Sequence, residues 1–274
     1  MSRDSAVLTT AHAWLDGGTP TVEDLAPLAF AGYAHFTAMQ VREGGVRGLD
    51  LHLERLRLAS QRLFGRVIPD DEVRRQLRTA VQASEPDLSL TATMFDPVGE
   101  FTSASDGDGP RLLVRTAPAA SGPEGPLRAS LVEHERAVPA VKHVGEVAKT
   151  YYLRQAATEG YDDAVFADRH GRISEGTIWN LAFWDGSAVV WPAAEMLTGV
   201  TMAIVRRQLD QLGAPQRTQH VSVEDLSGLR GAVVMNSWTP GIAVHRIGPA
   251  DLPDAPEFVD LLHRAYRNEP LVAP

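Results

Sequence analysis

The chain of 274 residues contains no cysteine, which removes disulfides, thiolate catalysis and cysteine metal ligands together. Its nine histidines form no HxxxH or HxH pair, so metal-hydrolase chemistry has no ligand spacing to start from. No apolar run reaches membrane-spanning length. The opening stretch MSRDSAVLTTAHAWLDGG has no apolar core of signal-peptide length, so a cytoplasmic location is expected. Positive charge is also short. Against 35 Asp plus Glu there are 26 Lys plus Arg, a net charge of -9 that argues against a nucleic-acid surface. What remains is an ordinary globular composition, 44% hydrophobic and 22% charged, long enough for one large or two modest domains.

Lysine is the scarcest cation. Only Lys142 and Lys149 occur, and every other basic side chain except histidine is arginine. A compositional bias towards arginine accounts for the scarcity, but chemistry distinguishes the two residues. Guanidinium replaces ammonium as a surface charge and never as an amine nucleophile, because it keeps its proton. A Schiff base to an aldehyde cofactor needs a primary amine. Both lysines open one segment, VKHVGEVAKTYYLRQAATEGYDDAVFADRHGRISEGTIWN, residues 141–180. Val144, Val147, Ala148, Tyr151 and Tyr152 have helical spacing, and Gly160 supplies a stop. A strand Asp163–Asp168 follows, then a turn at His170-Gly171, then Ile173-Ser174-Glu175-Gly176 and a second strand over Trp179–Trp184.

Lysine, helix, hairpin, Glu-Gly and an Asn-bearing strand in this order resemble the fold-type IV pyridoxal-phosphate enzymes. These are the branched-chain and D-amino-acid aminotransferases and aminodeoxychorismate lyase. The resemblance runs from about Gly32 onward and implies a two-domain α+β fold, a homodimer, pyridoxal 5'-phosphate (PLP) as cofactor, and small amino and keto substrates. It implies that Lys142 is the Schiff-base lysine, since the spacing to Gly160 and Glu175 favours it over Lys149, expected in mid-helix. It implies that Glu175 faces the pyridine nitrogen, which keeps the ring protonated and strengthens it as an electron sink. Taken alone, Glu175 reads as an ordinary turn carboxylate, and the lysine upstream changes that reading. Asn180 takes the place of a further cofactor contact.

Before this segment, His35–Arg42 reads as a strand, Glu43-Gly44-Gly45 as a turn and Val46–Leu49 as the return. Leu53, Leu56, Ser60, Leu63 and Phe64 then mark one face of a helix ended by Gly65. In the family this region supplies an arginine to the cofactor phosphate, and Arg55 matches it; planar paired donors suit phosphate oxygens. Thr37, in the hairpin, is the candidate to assist proton traffic, although a strand threonine is more often structural. A helix is expected over Asp71–Ala83, strands over Leu88–Phe95 and Arg111–Arg115, and a loop over Asp96–Pro110. The stretch APAASGPEGP, residues 117–126, is the clearest linker. The expected division is 1–118, a linker at 119–126, and a C-terminal domain 127–274 carrying the lysine. Residues 1–30 show no firm pattern beyond an opening strand and loop.

The later part begins with a strand Ala129–Glu133. After the organising segment come a strand Ala188–Pro192 and a helix with Met202, Val205, Leu209 and Leu212 on one side. Gly199-Val200-Thr201 at that helix start offers backbone N–H groups and a hydroxyl suited to phosphate, though plain capping is the commoner outcome. It resembles the family's second phosphate element, so Val200 and Thr201 are cofactor candidates. Gly231–Pro240 is a buried strand with polar residues at its end, where Asn236 and Ser237 match a last phosphate or substrate contact. Ile242–Ile247 reads as a strand and Asp254–Arg267 as a helix with Phe258, Leu261, Leu262 and Tyr266 apolar.

Transamination is the broader use of this scaffold and is placed first, with aminodeoxychorismate lyase, releasing pyruvate and 4-aminobenzoate, as the alternative. Lys142-His143, Phe36-Thr37, and Asn236 with Pro240 lean towards the lyase. Gln40 stands where the lyase and many aminotransferases have arginine, and Val147 replaces the tyrosine of branched-chain enzymes. A cofactor-free scaffold comes last, because lysine, glutamate and arginine are all in place.

Overall fold

The computed structural model describes residues 12–98, 101 and 109–274, so most of the loop expected over 96–110 lies outside the described residues. The chain divides into two units. The first reaches Ala120, apart from residues 50–52, and takes back Leu271–Pro274; the second comprises Asp50–His52 and Ser121–Pro270.

The first unit contains β1 (His12–Leu15), a short α1 (Val22–Leu25), β2 (Ala34–Arg42), β3 (Gly45–Arg47), α2 (Leu49–Phe64), α3 (Asp70–Gln82), β4 (Leu88–Phe95) and β5 (Arg111–Pro118). Its antiparallel sheet has the order β1-β5-β4-β2-β3. Met39 and Val41, alternate residues of β2, enter one core with Leu53 and Leu56 of α2 and Val73 and Leu77 of α3. That period of two meeting a period near four is what the pattern anticipated. α2 ends at Gly65, whose N–H returns to the Gln61 carbonyl at 3.1 Å. β5 runs beyond the expected Arg115 because its register with β4 persists to Leu88↔Pro118. The proline-rich stretch therefore begins as the end of a strand, a position proline tolerates.

The second unit contains β6 (Leu127–Glu133), α4 (Val147–Thr158), β7 (Asp163–Ala167), β8 (Ile173–Gly176), β9 (Asn180–Trp184), β10 (Val189–Pro192), α5 (Val200–Gln211), β11 (Gln216–Gln219), β12 (Gly231–Asn236), β13 (Thr239–Ile247), β14 (Ala250–Asp251) and α6 (Pro256–Asn268). Strands β9-β12-β13-β6-β7-β8 form a path that closes when β8 pairs with β9. Residues alternate between two cores. Leu181 and Phe183 of β9 and Ala232 and Val234 of β12 join one cluster, while Ala182, Val233 and Met235 pack with Met202, Val205 and Leu209 of α5 and Phe258 and Leu262 of α6. Strands buried on both faces read as unbroken apolar runs, as these do. Leu212, expected on the buried side of α5, is exposed at its C-terminal end.

The last element, β15 (Leu271–Val272), pairs antiparallel with β3 and so belongs to the first unit. Among the described residues no helix is long and apolar enough to cross a membrane.

Candidate active site

Glu175 owes its position to two turns. In the first, Asp168 accepts from the backbone N–H groups of His170 and Arg172 at 2.9 and 3.0 Å and from Arg172 Nε at 2.6 Å. This closes β7 onto β8. In the second, Asp163 is buried at the start of β7 and accepts three hydrogen bonds, from Ala164 N–H, Thr177 Oγ1 and Trp179 Nε1, each at 2.7 Å. Gly176 N–H also donates to the Trp179 carbonyl at 2.8 Å. The result is a tight link in which Glu175 of β8 lies directly across from Asn180 of β9. Asp163 was not among the sequence candidates. Its only signal was an acidic residue opening an apolar strand.

Glu175 is buried within a cluster of charges. Lys149 Nζ lies 3.3 Å from Glu175 Oε2, and Arg136 Nη1 lies 3.6 Å from Oε1. Arg136, with a side chain only 4% exposed, also places Nε 3.1 Å from Glu146 Oε1 and donates from Nη2 to the Val141 carbonyl at 2.6 Å. His143 Nε2 sits 2.8 Å from the same Glu146 oxygen. Burial lowers the Lys149 ammonium below its usual range, opposed by the Glu175 and Glu146 carboxylates. For Glu146, burial raises the carboxyl, but the His143 hydrogen bond and the Arg136 and Lys149 charges outweigh it and the net direction is down. Neither Arg136 nor Glu146 was singled out by sequence, because one arginine among many carries no mark.

The expected helix after Lys142 begins later than its apolar spacing indicated. α4 starts at Val147, so Lys149 lies in its first turn and not in mid-helix. Glu146 is tethered to Arg136 and His143, and its N–H turns back to the Val144 carbonyl at 2.7 Å, which holds 143–146 as loop. Lys142 sits in that loop, half-buried, beside the buried Val141. Val147 and Tyr151 do not form a buried face. They are 83% and 63% exposed, while Ala156 is the buried residue of the helix. Gly160 ends the segment with φ +83°, a conformation that favours glycine.

A second group of candidates meets at the start of α5. Asn180 donates to the Leu197 carbonyl at 2.7 Å and accepts from Gly199 N–H at 2.9 Å, so its amide fixes the loop ahead of the helix. A Cβ on residue 199 would come closer than 3.0 Å to Asn180 Oδ1, which explains glycine there. The Thr201 hydroxyl donates to the Asn236 carbonyl at 2.8 Å, and Asn236 Oδ1 accepts from Trp238 N–H at 2.8 Å. The end of β12, with half-buried Ser237, is thereby joined to the first turn of α5. That turn presents backbone N–H groups at the positive end of the helix dipole, with Val200 and Thr201 as its first residues.

Two candidates lie in the first unit. Arg55 is half-buried on α2. Thr37 is fully buried on the face of β2 that also carries His35 and Met39, the face packed by α2. Gln40, on the opposite face, exchanges hydrogen bonds with Ser89 at 2.9 and 3.1 Å and accepts from Ala120 N–H at 3.2 Å.

The chain is thus an α+β protein of two units, with a buried carboxylate, Glu175, held between the cations Arg136 and Lys149. Comparison with solved structures bears on the fold. The chain superposes on the branched-chain aminotransferase of Thermoproteus uzoniensis with norvaline at TM-score 0.82, 21% identity and 94% coverage of each chain. For the Escherichia coli branched-chain amino acid aminotransferase the values are 0.80 and 18%, covering 94% of this chain and 93% of that one. A putative 4-amino-4-deoxychorismate lyase from Legionella pneumophila gives 0.79 and 20%, covering 93% and 97%. No curated protein sequence matches. The model for amino-transferase class IV matches residues 34–247, and the chain belongs to that family of PLP-dependent enzymes. The residues fit the cofactor on their own chemistry. Glu175 Oε1 is a buried acceptor without a hydrogen-bond partner, free to accept from a protonated ring nitrogen, and the first turn of α5 offers donors suited to a phosphate.

Proposed function

We propose that the protein is an aminotransferase that moves an amino group between an amino acid or amine and a keto acid, with Lys142 holding the cofactor aldehyde. The observation that carries the assignment is the pairing of Lys149 with Glu175. The aldehyde carbon and the ring nitrogen stand on opposite edges of the pyridine ring. An amine held on the carboxylate that serves the nitrogen cannot also hold the aldehyde, and the chain has one other lysine. When bound, PLP supplies the electron sink for the substrate α-carbon.

The chain's own groups supply the rest. Glu175 Oε1 accepts the ring N–H. Backbone N–H groups of Val200 and Thr201, positioned through Asn180 and Asn236, hold the phosphate with Ser237. Arg55 keeps its phosphate-binding assignment from the family pattern alone. Lys142 would hold the aldehyde and serve as the base that moves the substrate α-proton. Gln40, engaged with Ser89 and Ala120, leaves no arginine at that position for a substrate carboxylate, which widens the donor class to amines. The exposed Val147 and Tyr151 support pairing of two copies, which sedimentation equilibrium measures.

Borohydride reduction of the yellow holoenzyme followed by peptide mapping is expected to label Lys142. A panel of amino donors without acceptor is expected to bleach the yellow band in a single turnover. If no donor does so while aminodeoxychorismate yields pyruvate over many turnovers, the lyase replaces the transaminase.

A further inference from the structure

Its histidines aside, the buried cluster around Glu175 balances in charge. It contains two cations, Arg136 and Lys149, and two carboxylates, Glu146 and Glu175, with side chains 4%, 12%, 15% and 5% exposed. Bringing a protonated ring nitrogen to Glu175 adds a third cation to a region that water screens poorly. An uncompensated charge there is costly, and the cheapest relief is loss of a proton by one of the cations already present. Arg136 cannot supply it, because guanidinium does not deprotonate in proteins. Lys149 can.

We infer that Lys149 is a positioning residue whose proton balances that of the cofactor ring: it holds Glu175 in the apoprotein and gives up its proton when the ring nitrogen arrives. This rests on the assignment of Glu175 to the ring nitrogen. Among the described residues, the charged or titratable groups around Lys149 that enter the balance are Glu175 from β8, Arg136 and His134 from the loop after β6, and Glu146 with His143 from the loop before α4. The proton leaves to solvent or passes to the ring nitrogen if that nitrogen arrives neutral, so charge is conserved either way. Burial, which already disfavours the ammonium of Lys149, works in the same direction.

The test is Lys149→Met, with wild type, Glu175→Gln and the double variant alongside, each as apoprotein and with added PLP. The methionine variant removes a cation and leaves an excess carboxylate. Its apoprotein should melt earlier than wild type, while PLP should bind more tightly, on the order of tenfold, because the ring nitrogen now restores neutrality. Its PLP-induced rise in Tm should therefore exceed that of wild type. Calorimetry in two buffers of different ionisation enthalpy should show that wild type releases more protons on PLP binding than Lys149→Met does. The double variant should show no enlarged shift. Equal PLP-induced shifts and equal proton release in wild type and Lys149→Met overturn the inference and make Lys149 a packing residue. So does an enlarged shift that survives in the double variant. Absence of a borohydride label from Lys142 of the wild type overturns the functional assignment itself, and a label on Lys149 overturns both.

Discussion

Gly199→Ala isolates the contact on which the candidate phosphate end depends. Residue 199 has φ -63° and ψ 147°, a backbone any residue adopts, so the substitution carries no conformational strain of its own. Its whole cost is steric. The new methyl falls closer than 3.0 Å to Asn180 Oδ1, and Asn180 must swing away. In doing so it gives up the bond from Gly199 N–H at 2.9 Å and the bond to the Leu197 carbonyl at 2.7 Å. Each such bond contributes about 1 kcal/mol net, and a buried group left unpaired adds about 1–3 kcal/mol. The expected destabilisation is about 3–5 kcal/mol, read from the urea midpoint at unchanged slope. Asn180→Ala removes the same two bonds without the clash. In that background Gly199→Ala should cost less than about 1 kcal/mol, because the two residues share one set of partners. A single variant within about 0.5 kcal/mol of wild type, or costs that simply add, refutes the account.

Other perturbations test other parts. Glu175→Gln should retain the borohydride label on Lys142 and lose turnover by orders of magnitude, each factor of ten being about 1.4 kcal/mol of barrier; near-normal steady-state rates remove the ring-nitrogen role. Asp163→Asn should destabilise by about 1–3 kcal/mol in chemical denaturation, since either amide orientation sets an N–H against the Ala164 or Trp179 donor. His35 is buried, and desolvation lowers its pKa from 6.5 to about 4. As pH falls the unfolded chain takes that proton first, so stability is full above about 6.5 and declines towards 4 by about 3 kcal/mol. Denaturation midpoints measured from pH 7 to 4 should show this slope in wild type and a shallower one in His35→Gln.

Elements whose apolar period met one neighbour were legible in the chain. β4 lies at Leu88–Phe95 as expected, and α2 ends at Gly65 as expected, because alternation and helical spacing were satisfied within the first unit. The start of α4 was not legible. It depends on an ion pair between Glu146 and Arg136, which the spacing of valines and tyrosines does not record. β11 is the polar run QRTQ held parallel to β10, and no local pattern marks it as a strand. For the site, the scarcity of lysine and the Glu-Gly pair drew attention to the segment that carries the buried Lys149–Glu175 pair. Arg136, which faces Glu175, and Asp163, which ties the turn after it, were hidden for a physical reason: burial makes them important, and burial is a property of the closed ring of strands.

The pairing of β15 with β3 has a consequence for the order in which the protein can be completed. During synthesis from the N-terminus, the sheet of the first unit emerges with the edge of β3 uncovered. It stays so while the whole second unit is made, since the covering residues Leu271 and Val272 follow it. An uncovered strand edge is a template for pairing with other chains, and β3, at three residues, offers a short one. The first unit thus begins folding early and closes last, and its final hydrogen bonds wait on the translation of everything between.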